Sequence, residues 1–121
     1  MRLAGLGVAL LGALVLVSPA AAKDRYCSPT GDYCTSVAKL GGVRYLRLGS
    51  FAFTAPVRIC VRAPNAARVC HGFRLRRAKG GIYQVKLIWK RHYPDRGAGT
   101  YLVTFFLGPT KLGPELAFTQ P

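Results

Sequence analysis

The chain has 121 residues, half of them apolar, and it carries 18 Lys and Arg against 4 Asp and Glu, a formal net charge of +14. This length fits one domain. So few carboxylates practically exclude a catalytic site built on paired acids, and they leave most cations without an internal partner. Because unpaired cations repel one another unless anions screen them, the charge indicates an anionic partner.

The first 22 residues have the features of a signal peptide. Arg2 precedes an apolar run at residues 3–17, and Pro19 leads into three alanines that end at Ala22. Such small residues suit a signal peptidase, so we expect cleavage after Ala22 and a mature chain without a membrane span. The alternative is an uncleaved anchor, although the run is shorter than the roughly 20 apolar residues that a bilayer span needs. The protein is therefore expected to be secreted, to the cell exterior or the cell envelope.

All four cysteines follow this segment, and their even number fits an oxidising compartment. Three pairings are possible. We expect Cys27–Cys34 and Cys60–Cys70, because each pair closes a short segment with turn-forming residues, and each closure stabilises the fold by about 2–3 kcal/mol. Residues 23–34 then form an N-terminal loop tied by its own disulfide. A zinc site is the alternative, but the sequence lacks the C-x-x-C spacing that such sites use.

Residues 35–121 are expected to form one all-β domain. About seven short runs with alternating or apolar character are separated by Gly, Pro and Asp, which is typical of an antiparallel sandwich or small barrel. No helical periodicity follows the signal segment. The densest part of the core is expected within residues 81–118, where the inward side chains are Tyr83, Val85, Leu87, Trp89, Tyr101, Val103, Phe105, Leu107, Leu116 and Phe118.

One predicted hairpin, residues 57–75, is rich in arginine. If its turn centres on Asn65, Cys60 lies opposite Cys70 and Arg62 lies opposite Arg68. Alternation then directs seven side chains inward, namely Val57, Ile59, Val61, Val69, His71, Phe73 and Leu75. The outward face carries both cysteines and five arginines: Arg58, Arg62, Arg68, Arg74 and Arg76.

These five arginines are the candidate ligand-binding residues. Guanidinium groups donate paired hydrogen bonds to phosphate, sulfate and carboxylate, and the hairpin contains no carboxylate of its own. For an exported protein the nearest polyanions are envelope polymers such as teichoic or uronic acids. The sequence therefore predicts a non-catalytic module that binds anionic polymers. The alternatives are nucleic-acid binding, which the charge permits, and ordinary solvated surface charge.

A second functional hypothesis is protein–protein interaction or a structural role in the envelope. Ile88, Leu102 and Phe106 have the strand parity opposite to the core set. If they were exposed and grouped, they would mark an interface. A third layer or sheet curvature would bury them instead.

The chain offers little for catalysis. A nucleophile with a general base would have to use His71 or His92, since these are the only histidines. His71 falls on the inward face of the hairpin, where a packed, hydrogen-bonded histidine is expected, and His92 shares a loop with Asp95, a turn-forming residue. No Gly-rich phosphate loop precedes a helix. We expect neither a metal nor a cofactor, and no enzymatic activity, with a small hydrolase as the remote alternative.

The last third of the chain, HYPDRGAGTYLVTFFLGPTKLGPELAFTQ, resembles the closing strands of bacterial secreted immunoglobulin-like and fibronectin type III-like modules. In those modules a loop with Asp and Gly precedes a G-x-Y strand, as Asp95 and Gly99 precede Tyr101 here. The resemblance implies a seven-stranded antiparallel immunoglobulin-like β-sandwich. With the cysteine pairings expected above, this sandwich would contain two local disulfides. It also implies that Tyr101 lies at a tyrosine corner, with its hydroxyl bonded back to the loop backbone.

Overall fold

The computed structural model describes residues 23–121, and the predicted signal peptide lies outside the described residues. This part of the chain is all-β apart from one four-residue helix and a 3-10 turn at Lys79–Gly81. Neither helical segment is long and apolar enough to cross a membrane. In chain order the elements are β1 (Arg25–Cys27), β2 (Tyr33–Ser36), β3 (Lys39–Leu40), β4 (Val43–Ser50), β5 (Val57–Arg62), β6 (Arg68–Phe73), β7 (Arg76–Arg77), β8 (Tyr83–Ile88), α1 (Trp89–His92), β9 (Gly99–Leu107), β10 (Thr110–Lys111) and β11 (Leu116–Gln120).

The strands form two antiparallel sheets. Sheet 1 has the order β1-β2-β4-β8-β7, with β3 also paired to β4. Sheet 2 has the order β10-β9-β5-β6, with β11 also paired to β9. β10 and β11 pair with successive parts of one edge of β9, since Lys111 lies opposite Phe106 and Leu116 lies opposite Val103. The prediction of an all-β fold with antiparallel sheets is thus confirmed.

The two sheets share one hydrophobic core. Strand alternation turns Leu46 and Leu48 of β4 and Leu87 of β8 to the same side of sheet 1. They join one buried cluster with Ile59 of β5 and Phe105 of β9, and none of these five residues is more than 6% exposed. Burying a side chain of this size stabilises the fold by about 1.5–3 kcal/mol. The core therefore lies between the sheets.

The strand predicted from GIYQVKLIWK ends early. β8 ends at Ile88, and Trp89 begins α1, whose turn is closed by the N–H of Tyr93 donating to the carbonyl of Trp89 at 3.0 Å. Trp89 is still buried, with its ring 4.9 Å from that of Tyr101 and 5.0 Å from that of Phe118. The prediction that no helix follows the signal segment is wrong for these four residues, because a single turn is too short to show helical periodicity.

Residues 23–34 contain strands as well as the predicted turn. β1 and β2 form a hairpin in which Cys27 lies opposite Cys34, and Thr35 of β2 lies opposite Leu48 of β4. Between the two strands Gly31 adopts a φ of 77°, which glycine reaches without a steric cost. The segment predicted as a loop is therefore part of sheet 1.

Candidate functional site

The hairpin of β5 and β6 has the predicted register. Cys60 lies opposite Cys70, and Arg62 lies opposite Arg68. The turn centres on Asn65, whose φ of 55° lies in the left-handed region that Asn tolerates better than most residues. The arginines of β5 and β6 therefore point away from the core, on the outer face of sheet 2.

Both predicted disulfides, Cys27–Cys34 and Cys60–Cys70, are present, each with a Cα–Cα separation of 4.0 Å. Cys60–Cys70 lies on the outer face of sheet 2, as alternation predicts. Cys60 is nevertheless only 1% exposed, so other side chains on this face must cover it.

Two arginines and a phenylalanine lie close together on this face. The guanidinium carbon of Arg58 lies 5.0 Å from the centre of the Phe106 ring, and that of Arg68 lies 5.5 Å from it. Phe106 is directly opposite Arg58, whereas Arg68 starts on the far side of the row that holds Cys60 and Cys70. The side chain of Arg68 therefore reaches across the rows of the sheet toward Phe106.

We call this surface the arginine face, and we define it by Arg58, Arg62, Arg68, Leu102 and Phe106. Its three arginines are exposed. The aromatic ring attracts the nearby cations, by about 0.5–1 kcal/mol for each exposed pair, and so favours fixed positions for Arg58 and Arg68. Within residues 23–121 neither of these two arginines forms an ion pair. Both guanidinium groups are therefore available to an anionic ligand.

Arg62 has a partial counter-ion. Its Nη2 lies 3.8 Å from Oε2 of Glu115, which comes from the segment between β10 and β11. Both side chains are about half exposed, at 53% and 41%, and solvent-exposed pairs of this kind contribute at most about 1 kcal/mol. The hairpin itself carries no carboxylate, but the fold supplies one from 53 residues further along the chain.

Arg74 and Arg76 lie outside the two strands of the hairpin. β6 ends at Phe73, so Arg74 belongs to neither strand of the hairpin. Arg76 lies on β7, opposite Gln84 of β8 in sheet 1. The alternation from which both were predicted to face outward on the hairpin ends at Phe73, because the chain there leaves sheet 2 for sheet 1.

The three residues of the predicted apolar interface lie on different sheets. Leu102 and Phe106 are on β9, opposite Arg62 and Arg58. Ile88 lies on β8 in sheet 1, and all three side chains are half-buried. They do not form one exposed patch.

The most exposed large apolar side chains were not predicted. Phe51 is 66% exposed and Leu40 is 45% exposed. Both line a groove of about 300 Å³ on the outer face of sheet 1, beside the Cys27–Cys34 disulfide. Phe51 directly follows β4 and begins the apolar sequence FAF. Because this sequence is apolar, it did not indicate that the strand ends at Ser50.

The histidines do not form a catalytic arrangement. His71 is exposed, with its ring 5.1 Å from that of Tyr93, so the prediction of a packed histidine is wrong. His71 faces the side predicted from alternation, but β6 is the edge strand of sheet 2 and leaves it open to solvent. His92 lies on α1, edge-on to Phe73 at 5.3 Å. No group of three or more His, Cys, Asp or Glu within residues 23–121 could hold a metal ion.

Asp95 is tied to its own loop rather than to a histidine. Its Oδ1 accepts the N–H of Gly97 at 2.9 Å, and its Oδ2 lies 3.6 Å from Nζ of Lys90. The hydrogen bond from Gly97 is the main cause that lowers the pKa of Asp95, and Tyr101 and Lys90 add to it. The carboxylate is thus ionised and structural in this loop.

Tyr101 bonds back to the loop before β9, as the resemblance in the last third of the chain implies. Its hydroxyl accepts the N–H of Arg96 at 2.7 Å and donates to the carbonyl of Gly97 at 2.8 Å. Asp95 Oδ1 is a more distant acceptor at 3.3 Å. The ring is fully buried, and burial raises the pKa of Tyr101.

A scan of protein-family models, a search of curated proteins and a search of solved structures each return no match to this chain.

Proposed function

We propose that the protein is a secreted, non-catalytic module with an immunoglobulin-like fold that binds anionic polymers of the cell envelope through the arginine face. The observation that carries this proposal is the pair of exposed, unpaired guanidinium groups of Arg58 and Arg68, both placed over the ring of Phe106. Arg62, on the same face, is paired only with the half-exposed Glu115.

Strand order supports the immunoglobulin-like assignment. Constant-type immunoglobulin domains have strands A, B, E and D in one sheet and G, F and C in the other. With β2, β4, β5, β7, β8 and β9 as strands A to F and β10 with β11 as strand G, sheets 1 and 2 have these same orders. β6 then corresponds to an additional strand after C, and β1 and β3 are additional strands of sheet 1. The hydroxyl of Tyr101, bonded back to the loop at the start of β9, is a further feature of this class.

The spacing of the arginines favours a polymer over a single small anion. Arg58 and Arg62 are four residues apart on β5, which corresponds to roughly 13 Å along a strand. Arg68 on β6 adds a third guanidinium group to this face. A ligand that contacts all three must carry several anionic groups along its length. Phosphates of a teichoic acid and carboxylates of a uronic acid polymer both suit the forked donors of arginine.

The two disulfides support an extracellular or envelope location, because such bonds persist in oxidising compartments. The predicted signal peptide at residues 1–22 would direct the chain there. Nucleic acid is a less suitable ligand for a secreted protein, although the net charge permits it.

A protein-binding or structural module is the second candidate, and the exposed side chains of Phe51 and Leu40 favour it. Their groove lies on sheet 1, away from the arginine face. Protein contact there should depend on these apolar residues and respond little to salt.

The test compares two triple variants with the same net charge. Arg58→Gln, Arg62→Gln and Arg68→Gln together remove the cations of the arginine face. Arg76→Gln, Arg77→Gln and Lys79→Gln remove three exposed cations from the edge of sheet 1 and the turn that follows it. Affinities for wall teichoic acid and polygalacturonate would be measured by calorimetry at several salt concentrations.

We expect the first variant to lose most of its affinity and to show a shallower salt dependence, because fewer counterions are released on binding. The second variant should bind much like the wild type. Equal losses in both variants would show that only net charge matters and that the arginine face is not a site. A DNA oligonucleotide bound more tightly than either polymer, at equal salt, would favour the nucleic-acid alternative.

A further inference from the structure

We propose a second binding site, a cavity beside α1 that takes a small organic anion in which a carboxylate or phosphate is joined to an apolar group. The cavity has a volume of about 490 Å³, within the range of about 300–1,000 Å³ that is usual for small-molecule sites. It lies among β3, β4, α1 and the end of β11. None of the five residues that define the arginine face lines it, so the two sites are separate.

The charge of the cavity lining selects for an anion. Four cationic side chains line it, those of Lys39, Arg44, Lys90 and Arg91, and no acidic side chain does. Lys90 is partly neutralised, since its Nζ lies 3.6 Å from Oδ2 of Asp95. The other three form no ion pair within the described chain. Three cations without an ion-pair partner in one lining produce a positive potential that concentrates anions.

Arg44 is the most buried of these cations. Its Nη1 donates to the carbonyl of Val37 at 2.9 Å, and its guanidinium carbon lies 4.5 Å from the ring centre of Phe118. Its Nε is buried and has no acceptor among residues 23–121. Burial lowers the pKa of Arg44, opposed by the charge of Asp24. A half-buried cation without a paired anion carries a desolvation cost, and an anion in the cavity would offset it.

The rest of the lining is suited to an apolar group. The half-buried side chains of Val43 and Ile88 line the cavity, and the buried Trp89 lies at its wall. A hydrated inorganic ion would leave this surface uncovered, whereas an aromatic or aliphatic group would bury it. The ligand class that fits both parts is an arylated or alkylated carboxylate or phosphate.

The chain contains a natural reporter for this site. Trp89 is the only tryptophan, so its fluorescence and its indole N–H signal in NMR spectra report directly on the cavity. The probes are benzoate, phenyl phosphate and the neutral benzamide. We expect both anions to shift the Trp89 signals in a saturable manner, and benzamide to bind at least about tenfold more weakly, as expected for the loss of a charge-assisted contact. Equal responses to benzoate and benzamide, or no response to either anion at millimolar concentration, would overturn the proposal.

A matched pair of variants locates the effect. Lys39→Gln with Arg91→Gln removes two exposed cations of the lining and leaves the half-buried Arg44 in place. Arg77→Gln with Lys79→Gln removes the same charge from residues that do not line the cavity. The first pair should weaken benzoate binding by roughly fivefold or more and the second should not. An equal loss of benzoate affinity in the two double variants would show that only the net charge of the protein attracts the anion. The comparison of benzoate with benzamide on the unsubstituted protein decides the proposal even if a variant fails to fold, and it does not involve the polymer-binding face.

Discussion

Arg58 and Phe106 lie opposite each other on β5 and β9, with the guanidinium carbon of Arg58 5.0 Å from the centre of the ring. Arg68 approaches the same ring at 5.5 Å from the other hairpin strand. Two cations that would repel each other in water are thus placed over one aromatic ring, whose negative face attracts both. Phe106 is therefore a positioning residue for the arginine face, and its contribution can be tested without any change in charge.

Replacement of Phe106 by Leu should weaken polymer binding. Leucine keeps most of the apolar bulk but has no aromatic face, so Arg58 and Arg68 lose the contacts that favour their positions. We expect affinity for wall teichoic acid to fall by about threefold to tenfold at constant salt, measured by calorimetry. Leu102→Val is the control on the same face, and it should have little effect. If Leu102→Val weakens binding as much as Phe106→Leu does, apolar contact rather than placement of the arginines accounts for the loss.

Removal of Glu115 should strengthen polymer binding. Glu115 lies 3.8 Å from Arg62 and competes with a ligand for its guanidinium group. Because the pair is solvent-exposed, we expect Glu115→Gln to raise affinity by only about twofold to fivefold. Asp32→Asn makes the same change in net charge at an exposed residue in the turn between β1 and β2, and it should raise affinity less. An equal gain in the two variants would mean that Arg62 is not part of the binding surface.

The strand pattern predicted the hairpin well because the register of a hairpin depends only on residues that are close together in the sequence. The residues from Val57 to Phe73 alternate regularly about Asn65, so register and facing follow from period 2 alone. The same pattern failed at Arg76, since the letters FRLRR alternate without a break while the chain changes sheets between Phe73 and Arg76. Tertiary packing decides where the chain crosses from one sheet to the other. The alternation of apolar and polar residues does not show this position.

Long-range features of both candidate sites could not be predicted. The pair of Arg62 and Glu115 joins segments that are far apart in sequence, and the cavity beside α1 brings together residues from three separate regions. Burial posed a similar problem. Alternation correctly placed His71 on the inner side of β6, but it could not show that an edge strand would leave this side exposed.

Tyr101→Phe should destabilise the fold. The substitution keeps the buried ring but removes the hydroxyl that bonds to Arg96 N at 2.7 Å and to Gly97 O at 2.8 Å. We expect a loss of about 1–2 kcal/mol in the free energy of unfolding, and a fall in Tm of roughly 4–8 °C for each kcal/mol, measured by urea and thermal denaturation. Tyr45→Phe removes a hydroxyl that has no hydrogen bond within the described residues and should change stability less. A Tyr101→Phe variant as stable as the wild type would contradict a structural role for this hydroxyl.

Asp95 should make the fold sensitive to acid. Hydrogen bonding from Gly97 is the main cause that lowers the pKa of Asp95 in the folded state. The stabilising contribution of this group is therefore present above the unfolded pKa of about 3.9, and it is lost as pH falls through the folded value. Urea denaturation at about pH 7 and about pH 3 should show a smaller loss of stability for Asp95→Asn than for the wild type. An unchanged acid response would show that the carboxylate does not stabilise this loop.

Tyr93 should have the opposite effect, at alkaline pH. Its hydroxyl is buried and donates to the carbonyl of Ile59 on β5, which ties the segment after α1 to sheet 2. Burial raises the pKa of Tyr93 well above the ordinary tyrosine value. The contribution of the neutral hydroxyl is therefore fully present below the unfolded pKa of about 10, and it is lost as pH rises through the folded value, because the charged form is disfavoured in the core.

Tyr93→Phe removes this bond, so we expect it to lower the free energy of unfolding at about pH 7 by about 1 kcal/mol. Between about pH 9 and about pH 11 the variant should lose less further stability than the wild type, since it has no phenol to ionise on unfolding. Urea denaturation across this range measures the difference, and the absorbance of tyrosinate should show one fewer late-ionising group. Tyr45→Phe serves again as the control. If Tyr93→Phe and the wild type lose stability in parallel above about pH 9, the buried hydroxyl of Tyr93 is not the group that links the fold to alkaline pH.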